Sequence, residues 1–490
     1  MTSINTISGI ICNNIRNNPD KPFLIKVNSS VQTYSELANL AEIIKNKIPE
    51  NIVAGILISS PSMIMPTILA CWSKNTIPAI LEPQIKYEKF KIIKEITGLQ
   101  LIVTDQKLED SFSTEKTVNL GDGGSNSIRL QKSSDNFSIH IPDDSPALLL
   151  FTSGSTGIPK CVPLSLSNIW SNVKRFSEIL NIDENNVFLS TSPLFYAHAL
   201  YNSFLTALLL GTTVIYNGVL NIMNVANAVK LANRHNATVY NLTPSMMQIL
   251  IMMAGKLKEP FPKFRHIICG TAKLEPDLKK KFETAFNCIV TQQYGMTETL
   301  FISVNSGKQI ESPESVGIPV ACEIRITDDN GTPLQKDQKG DISVKSESSF
   351  GSYFKQTKET NTSYIDGWFF TGDEGKIDDD GYLTVTGRKK EIIKKGGYNI
   401  NPNEINAVLN KFDAISDSAT ISMPDPVYGE EIYSFVAGNA LSEAIILDFC
   451  YERLPKTHIP KKIFIISKIP KTSNGKTDLQ ELRRLAKEKI

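Results

Sequence analysis

The chain has 490 residues, 41% hydrophobic and 21% charged, the make-up of a soluble globular protein and more than one ordinary core accommodates. Its 52 basic and 51 acidic residues leave a net charge of +1, so nothing in the balance asks for a nucleic-acid partner. Seven cysteines without C-x-x-C spacing argue against a disulfide framework or a metal cluster and imply reduced thiols in a cytoplasmic setting.

Near the start, the apolar run Ile7 to Cys12 has no basic segment ahead of it and stops at Asn13-Asn14, so it does not read as a secretory signal. Ile52 to Ile58 predicts a buried strand, and Pro66 to Trp72 the beginning of the helix after it. Gly121 to Asn136, rich in Gly, Ser and Asp, predicts an exposed loop. Next comes the apolar run Ala147 to Phe151, followed by Thr152-Ser153-Gly154-Ser155-Thr156-Gly157-Ile158-Pro159-Lys160. Glycines admit backbone N–H groups to phosphate oxygens, hydroxyls add donors, and the lysine adds a cation. The common P-loop needs Gly before its Lys and Ser or Thr after it, whereas Pro159 and Cys161 flank Lys160. Alone, such a loop reads equally well as a phosphate site or a surface turn.

The most apolar long stretch, Ala197 to Tyr216, contains His198, Asn202, Ser203 and Gly211. It predicts a buried helix and a buried strand, with no transmembrane segment. Thr213–Tyr216 predicts a strand, Val225–His235 a helix, Thr238–Leu242 a strand and His266–Cys269 another. Strands alternating with helices predict an α/β fold with parallel layers. From about Val316 to Val344, short strands with Gly and Pro turns predict a β-rich subdomain. Asp378-Asp379-Asp380-Gly381 predicts a tight turn before the strand Tyr382 to Thr386, and residues 389–490 carry a pattern of their own.

Four further segments follow the glycine-rich loop. They are Gln293-Tyr294-Gly295-Met296-Thr297-Glu298, Asp366-Gly367-Trp368-Phe369-Phe370-Thr371-Gly372-Asp373, Gly387-Arg388-Lys389-Lys390-Glu391-Ile392-Ile393-Lys394 and Pro470-Lys471-Thr472-Ser473-Asn474-Gly475-Lys476. With the loop, and in this order, they resemble the adenylate-forming superfamily of acyl-CoA synthetases, peptide-synthetase adenylation domains and beetle luciferases. The resemblance covers nearly the whole chain. It implies a large N-terminal domain, 1–388, that binds ATP and acid, and a small mobile α+β C-terminal domain, 389–490, swinging about a hinge at Lys390.

The resemblance also assigns roles. Thr152, Ser153, Gly154, Ser155, Thr156, Gly157 and Lys160 would hold the β- and γ-phosphates of ATP. Thr297 would bond the α-phosphate, and Glu298 would bind Mg²⁺, a hard ion that takes oxygen ligands. Tyr294 would pack on adenine, with Gly270, Thr271 and Ala272 across the base. Asp373 would accept the ribose hydroxyls and Arg388 would contact ribose or phosphate, the lesser alternative being a structural ion pair between the two. Lys476 would bridge the acid carboxylate and the α-phosphate. After domain rotation, the segment from Arg388 to Gly397 would cover a pantetheine tunnel, with Gly396-Gly397 beside the thin arm.

Amino-acid-activating members place an aspartate where this chain has Tyr196, which argues against an α-amino acid substrate. Pro193-Leu194-Phe195-Tyr196-Ala197-His198-Ala199-Leu200 is similar to a stretch of several acyl-CoA synthetases. His198 is therefore either a tunnel or substrate residue or an ordinary hydrogen-bonded buried histidine. Tyr240 joins Tyr196, His198 and Gly397 as a substrate or tunnel candidate. Cys161, Leu166 and Asp478 depart from common family residues, and Asp478 leaves the acceptor open. The implied reaction is ATP-dependent activation of a small-molecule carboxylic acid to acyl-AMP, then transfer to coenzyme A. The alternatives are loading of the phosphopantetheine arm of a carrier protein, or an inactive nucleotide-binding regulator.

Overall fold

The computed structural model describes residues 6–121, 137–152, 159–308, 311–391, 393–395, 398–425, 428–439, 441–472 and 475–490. Chain contacts divide it into two compact units. One is Met1–Ile324 with Val344–Phe369, the other Arg325–Ser343 with Phe370–Ile490. Residues 388 and 389, the expected domain junction, thus lie together in the second unit. The expected loop at 121–136 falls almost wholly outside the described residues.

Two sheets form the first unit. In the six-stranded sheet the order is Thr117–Asn119, Leu101–Thr104, Val53–Leu57, Ile77–Ile80, Pro146–Thr152, Lys160–Ser165. All neighbours are parallel except the last pair. The nine-stranded sheet has parallel neighbours from Val290–Met296 through His266–Cys269, Val239–Leu242, Val187–Ser190 and Thr213–Tyr216 to Pro22–Ile25. Most of these strands are short and largely apolar because helices cover a parallel sheet on its faces. In such sheets, ligands collect at the carboxyl ends of the strands, and the candidate site is built there.

The expected strands Thr213–Tyr216 and His266–Cys269 have the observed bounds, and the expected helix Val225–His235 runs to Arg234. One helix start differs. The helix after Val53–Leu57 is Pro61–Ser73, beginning at Ser60-Pro61 with Pro66 inside it. Proline is favoured at the first helical position, and Pro61 holds that position here. The apolar stretch after His198 is buried and irregular: a π-helical turn at Leu200–Leu205 precedes Thr206–Leu210 and the strand Thr213–Tyr216. Among the described residues, no helix is long and apolar enough to cross a membrane.

In the second unit, Asp373–Ile377, the end of the strand Trp368–Ile377, pairs antiparallel with Leu383–Arg388 across the Asp378–Gly381 turn, where the Tyr382 N–H donates to Asp378 Oδ1 at 2.8 Å. A separate five-stranded sheet contains Ile393–Lys395, Tyr398–Ile400, Ile415–Asp425, Gly429–Gly438 and Lys462–Ile465. Helix Pro402–Leu409 and the helix Leu479–Lys489 pack on it.

Candidate active site

The glycine-rich loop joins two hydrogen-bonded strands. Pro146–Thr152 and Lys160–Ser165 run antiparallel with Thr152 opposite Lys160, so the two ends of the loop stand side by side. Ser153, Gly154, Ser155, Thr156 and Gly157 lie outside the described residues. The backbone on either side of Lys160 is clamped by one amide. Gln356 Oε1 accepts the Cys161 N–H at 2.8 Å, and its Nε2 donates to the Pro159 carbonyl at 3.1 Å. Gln356 is buried, so both hydrogen bonds replace contacts that water would otherwise have to supply.

A second hairpin supplies the carboxylate. Val290–Met296 and Leu300–Val304 pair antiparallel with an irregularity at Tyr294/Gly295. Gly295 is required there, since a Cβ would collide with the Leu300 carbonyl oxygen. Thr297, Glu298 and Thr299 form the turn, closed by Thr299 N–H to Met296 C=O at 3.2 Å. Thr297 and Glu298 therefore belong to a hairpin turn and do not cap a helix.

The two hairpins meet through Glu298, which is only 5% exposed. Its Oε1 accepts the Thr152 hydroxyl at 3.3 Å and the Tyr353 hydroxyl at 3.1 Å. Tyr353 in turn accepts from Lys160 Nζ at 3.2 Å, with the ammonium 4.4 Å from its ring centroid. Burial, and then the neighbouring Glu298 carboxylate, push the Tyr353 phenol far above its ordinary range. It stays protonated and remains a donor. The ring is fixed by Phe350, centroid to centroid 4.6 Å. The sequence reading missed Tyr353 and Gln356; the only trace is an aromatic-Gly-Ser-Tyr run, Phe350 to Tyr353, between strands.

The proposed base-binding elements lie on neighbouring strand ends. Gly270, Thr271 and Ala272 follow His266–Cys269, Thr271 with a left-handed φ of 73°. Cys269 is in register with Gln292, two residues before the half-buried Tyr294. The Gln293 side chain crosses Gly270 where any Cβ would collide with it.

At the acid side, His198 Nδ1 and the Ser192 hydroxyl are 2.7 Å apart. Burial lowers the imidazole to about 4, partly opposed by a hydrogen bond to the Leu242 backbone. His198 is thus neutral at physiological pH and tied to two strand ends. Tyr196 is partly buried, its ring 4.5 Å from that of Phe195. Tyr240, the other expected tunnel residue, is fully buried, packs on Phe264 and shares a hydrogen bond with Thr191 at 3.1 Å.

In the second unit, Asp373 and Arg388 are cross-strand partners with Arg388 Nε donating to Asp373 Oδ1 at 2.9 Å. The ion pair set aside as the lesser alternative is formed, and the second carboxylate oxygen keeps Asp373 able to accept further hydrogen bonds. Lys389 reaches Asp329 at 2.8 Å and Asp341 at 2.6 Å. Lys390 lies in the short helical turn Lys389–Glu391. Gly397 is outside the described residues. Lys476 is exposed on a tight turn, its carbonyl accepting the Thr472 N–H at 2.7 Å. Burial raises the Glu391 carboxyl, and Arg388, Lys476 and Arg483 oppose this by their charge, so both expected cations act on one carboxyl. Asp478 caps the last helix, accepting the Gln480 and Glu481 N–H groups at 3.1 and 3.0 Å. Helix capping accounts for that residue, which carries no information on the acceptor. Among the described residues, no group of three or more His, Cys, Asp or Glu could hold a metal. What the protein offers a cation is one buried carboxylate flanked by hydroxyls, a hard-oxygen donor that fits Mg²⁺ when phosphate and water complete its shell.

A two-unit α/β protein in which the strand leading into a glycine-rich segment is bonded to a buried carboxylate is an adenylate-forming enzyme in outline. The chain belongs to the AMP-binding enzyme family: that family's profile matches residues 12–354, and its C-terminal domain profile matches 404–476. It is 29% identical to the oxalate–CoA ligase of Arabidopsis thaliana, covering 96% of both chains. It is 30% identical to the probable CoA ligase CCL9 of Humulus lupulus, over 82% of this chain and 80% of that one. Its fold is that of ATP-bound MatB from Rhodopseudomonas palustris, with a TM-score of 0.88 over 99% of each chain at 22% identity.

Proposed function

We propose that the protein is an AMP-forming acid–CoA ligase, which activates a carboxylic acid with ATP to acyl-AMP and pyrophosphate and passes the acyl group to the thiol of coenzyme A. The observation that carries the reading is the Thr152–Glu298 hydrogen bond. It joins, across 146 residues, the phosphate-loop strand and the turn bearing the expected metal carboxylate. The family and the names of the CoA-ligase relatives support the reaction class.

Attack of a carboxylate on the α-phosphate brings two anions together, so positive charge and in-line placement are the task. Lys160 and the loop backbone hold the terminal phosphates, Thr297 donates to the α-phosphate, and Lys476 bridges acid and α-phosphate. Bound Mg²⁺ supplies charge neutralisation of the phosphates, with Glu298 as its protein ligand. Tyr294 and the Gly270–Ala272 turn hold adenine, and Asp373 and Arg388 hold ribose. His198, held neutral, orients without adding charge, while Tyr196 closes the position where amino-acid-activating members carry an aspartate. Turning at Lys390 then brings the segment ending at Gly397 over the pantetheine arm. Keeping Lys160, Glu298, Asp373, Arg388 and Lys476 together argues against an inactive regulator. The seven cysteines, none in a disulfide, favour a cytoplasmic setting.

The test is a panel of carboxylic acids with ATP, Mg²⁺ and either coenzyme A or a holo-carrier protein. The proposal expects AMP release and a thioester on coenzyme A. ADP as the product, or a thioester only on the carrier, would overturn it.

A further inference from the structure

Tyr353 has no part in the roles assigned above, yet it is the residue through which Lys160 and Glu298 touch. It is almost fully buried, accepts from Lys160 Nζ at 3.2 Å and donates to Glu298 Oε1 at 3.1 Å. Thr152 places a second hydroxyl on the same oxygen at 3.3 Å. With both hydroxyls on Oε1, the carboxylate cannot turn freely, and Oε2 is the oxygen presented to a cation. The same short segment reaches the loop twice more. Gln356 clamps Pro159 and Cys161, and the Phe354 N–H donates to the Cys161 carbonyl at 2.8 Å.

We propose that Tyr353 is a positioning residue whose hydroxyl orients Glu298 for the divalent cation, the ring alone keeping its contact with Lys160, whereas Gln356 positions the phosphate loop backbone. The proposal rests on the ligase reading for the identity of the nucleotide. The phenol is well suited to the task because it both accepts and donates. Lysine has only donors and the carboxylate only acceptors, so a hydroxyl between them satisfies both.

The test is calorimetric titration of ATP into the full-length protein, with chelator and again with Mg²⁺. Tyr353→Phe keeps the ring and removes the hydroxyl. Its ATP affinity should stay within about twofold of the parent without Mg²⁺ and fall about tenfold with Mg²⁺, the size of one hydrogen bond to a charged group. Gln356→Ala should weaken ATP binding equally in both conditions. Unfolding midpoints establish that each variant is folded. Should Tyr353→Phe not fold, Phe350→Leu removes the ring that fixes Tyr353, 4.6 Å away, and should give a smaller loss of the same Mg²⁺-dependent kind. Equal weakening of Tyr353→Phe in both conditions, or none in either, would overturn the proposal. The titration needs neither acid nor thiol, so failure of the ligase reading would appear separately, as ATP binding without acid-dependent AMP release.

Discussion

At the scale of single residues, charge placement decides most of the chemistry. Lys476 stands exposed on its turn, and the account gives it the charge that forms at the α-phosphate. Lys476→Ala should slow acyl-adenylate formation by about 10²–10³, the usual loss for one preorganised donor, and leave thioester formation from supplied acyl-adenylate near the parent rate. His198 gives a prediction in pH. Its folded value is about 4 against an ordinary 6.5, so the unfolded chain takes up its proton first on acidification. The stability it confers is complete above pH 6.5 and is lost as pH falls from 6.5 toward 4, a change of about 3 kcal/mol by linkage. Chemical denaturation across that window should show a shallower decline in His198→Gln. His266, also lowered to about 4 by burial, keeps part of the slope. Little of this was legible in the sequence. The motif lysine, threonine and glutamate were found because their neighbours are distinctive. Tyr353 and Gln356 were not, because they act through contacts 55 and 195 residues distant along the chain.

At the scale of elements, two hairpins carry the centre of the site. Strands with continuous apolar runs were legible to the residue, as Thr213–Tyr216 and His266–Cys269 show. Their burial on both faces leaves one reading of the pattern. The helix Pro61–Ser73 was misplaced at its start because Pro66 looked like an entry signal and is an interior residue. The Thr297–Glu298 turn was not legible as a turn, since the same residue types serve caps and turns. It is settled by Gly295 and by Leu300, which takes a φ of 60°. Gly295→Ala should therefore destabilise the first unit by about 3 kcal/mol through backbone collision and lower Mg²⁺-ATP binding with it. Denaturant midpoints paired with ATP titration check both.

At the scale of the whole molecule, the account requires one chain to run two half-reactions in turn. The sequence suggested a junction at 388/389, whereas contacts group residues 370–490 with 325–343. The pairing of Gly340–Ser346 with Trp368–Ile377 and the ion pairs of Lys389 with Asp329 and Asp341 join those segments. Such long-range pairing is invisible to local composition. Lys390 remains the proposed pivot. Lys390→Pro fixes φ and removes a backbone donor, so it should abolish one half-reaction and spare the other, as read by separate adenylation and thioester assays. Equal loss of both would count against rotation there. The most direct test of the central claim is exchange of labelled pyrophosphate into ATP, with a competent acid and Mg²⁺ and no thiol present. The account predicts exchange that depends on the acid and is abolished in Lys476→Ala. Thioester formation from that same acid without any such exchange would contradict it.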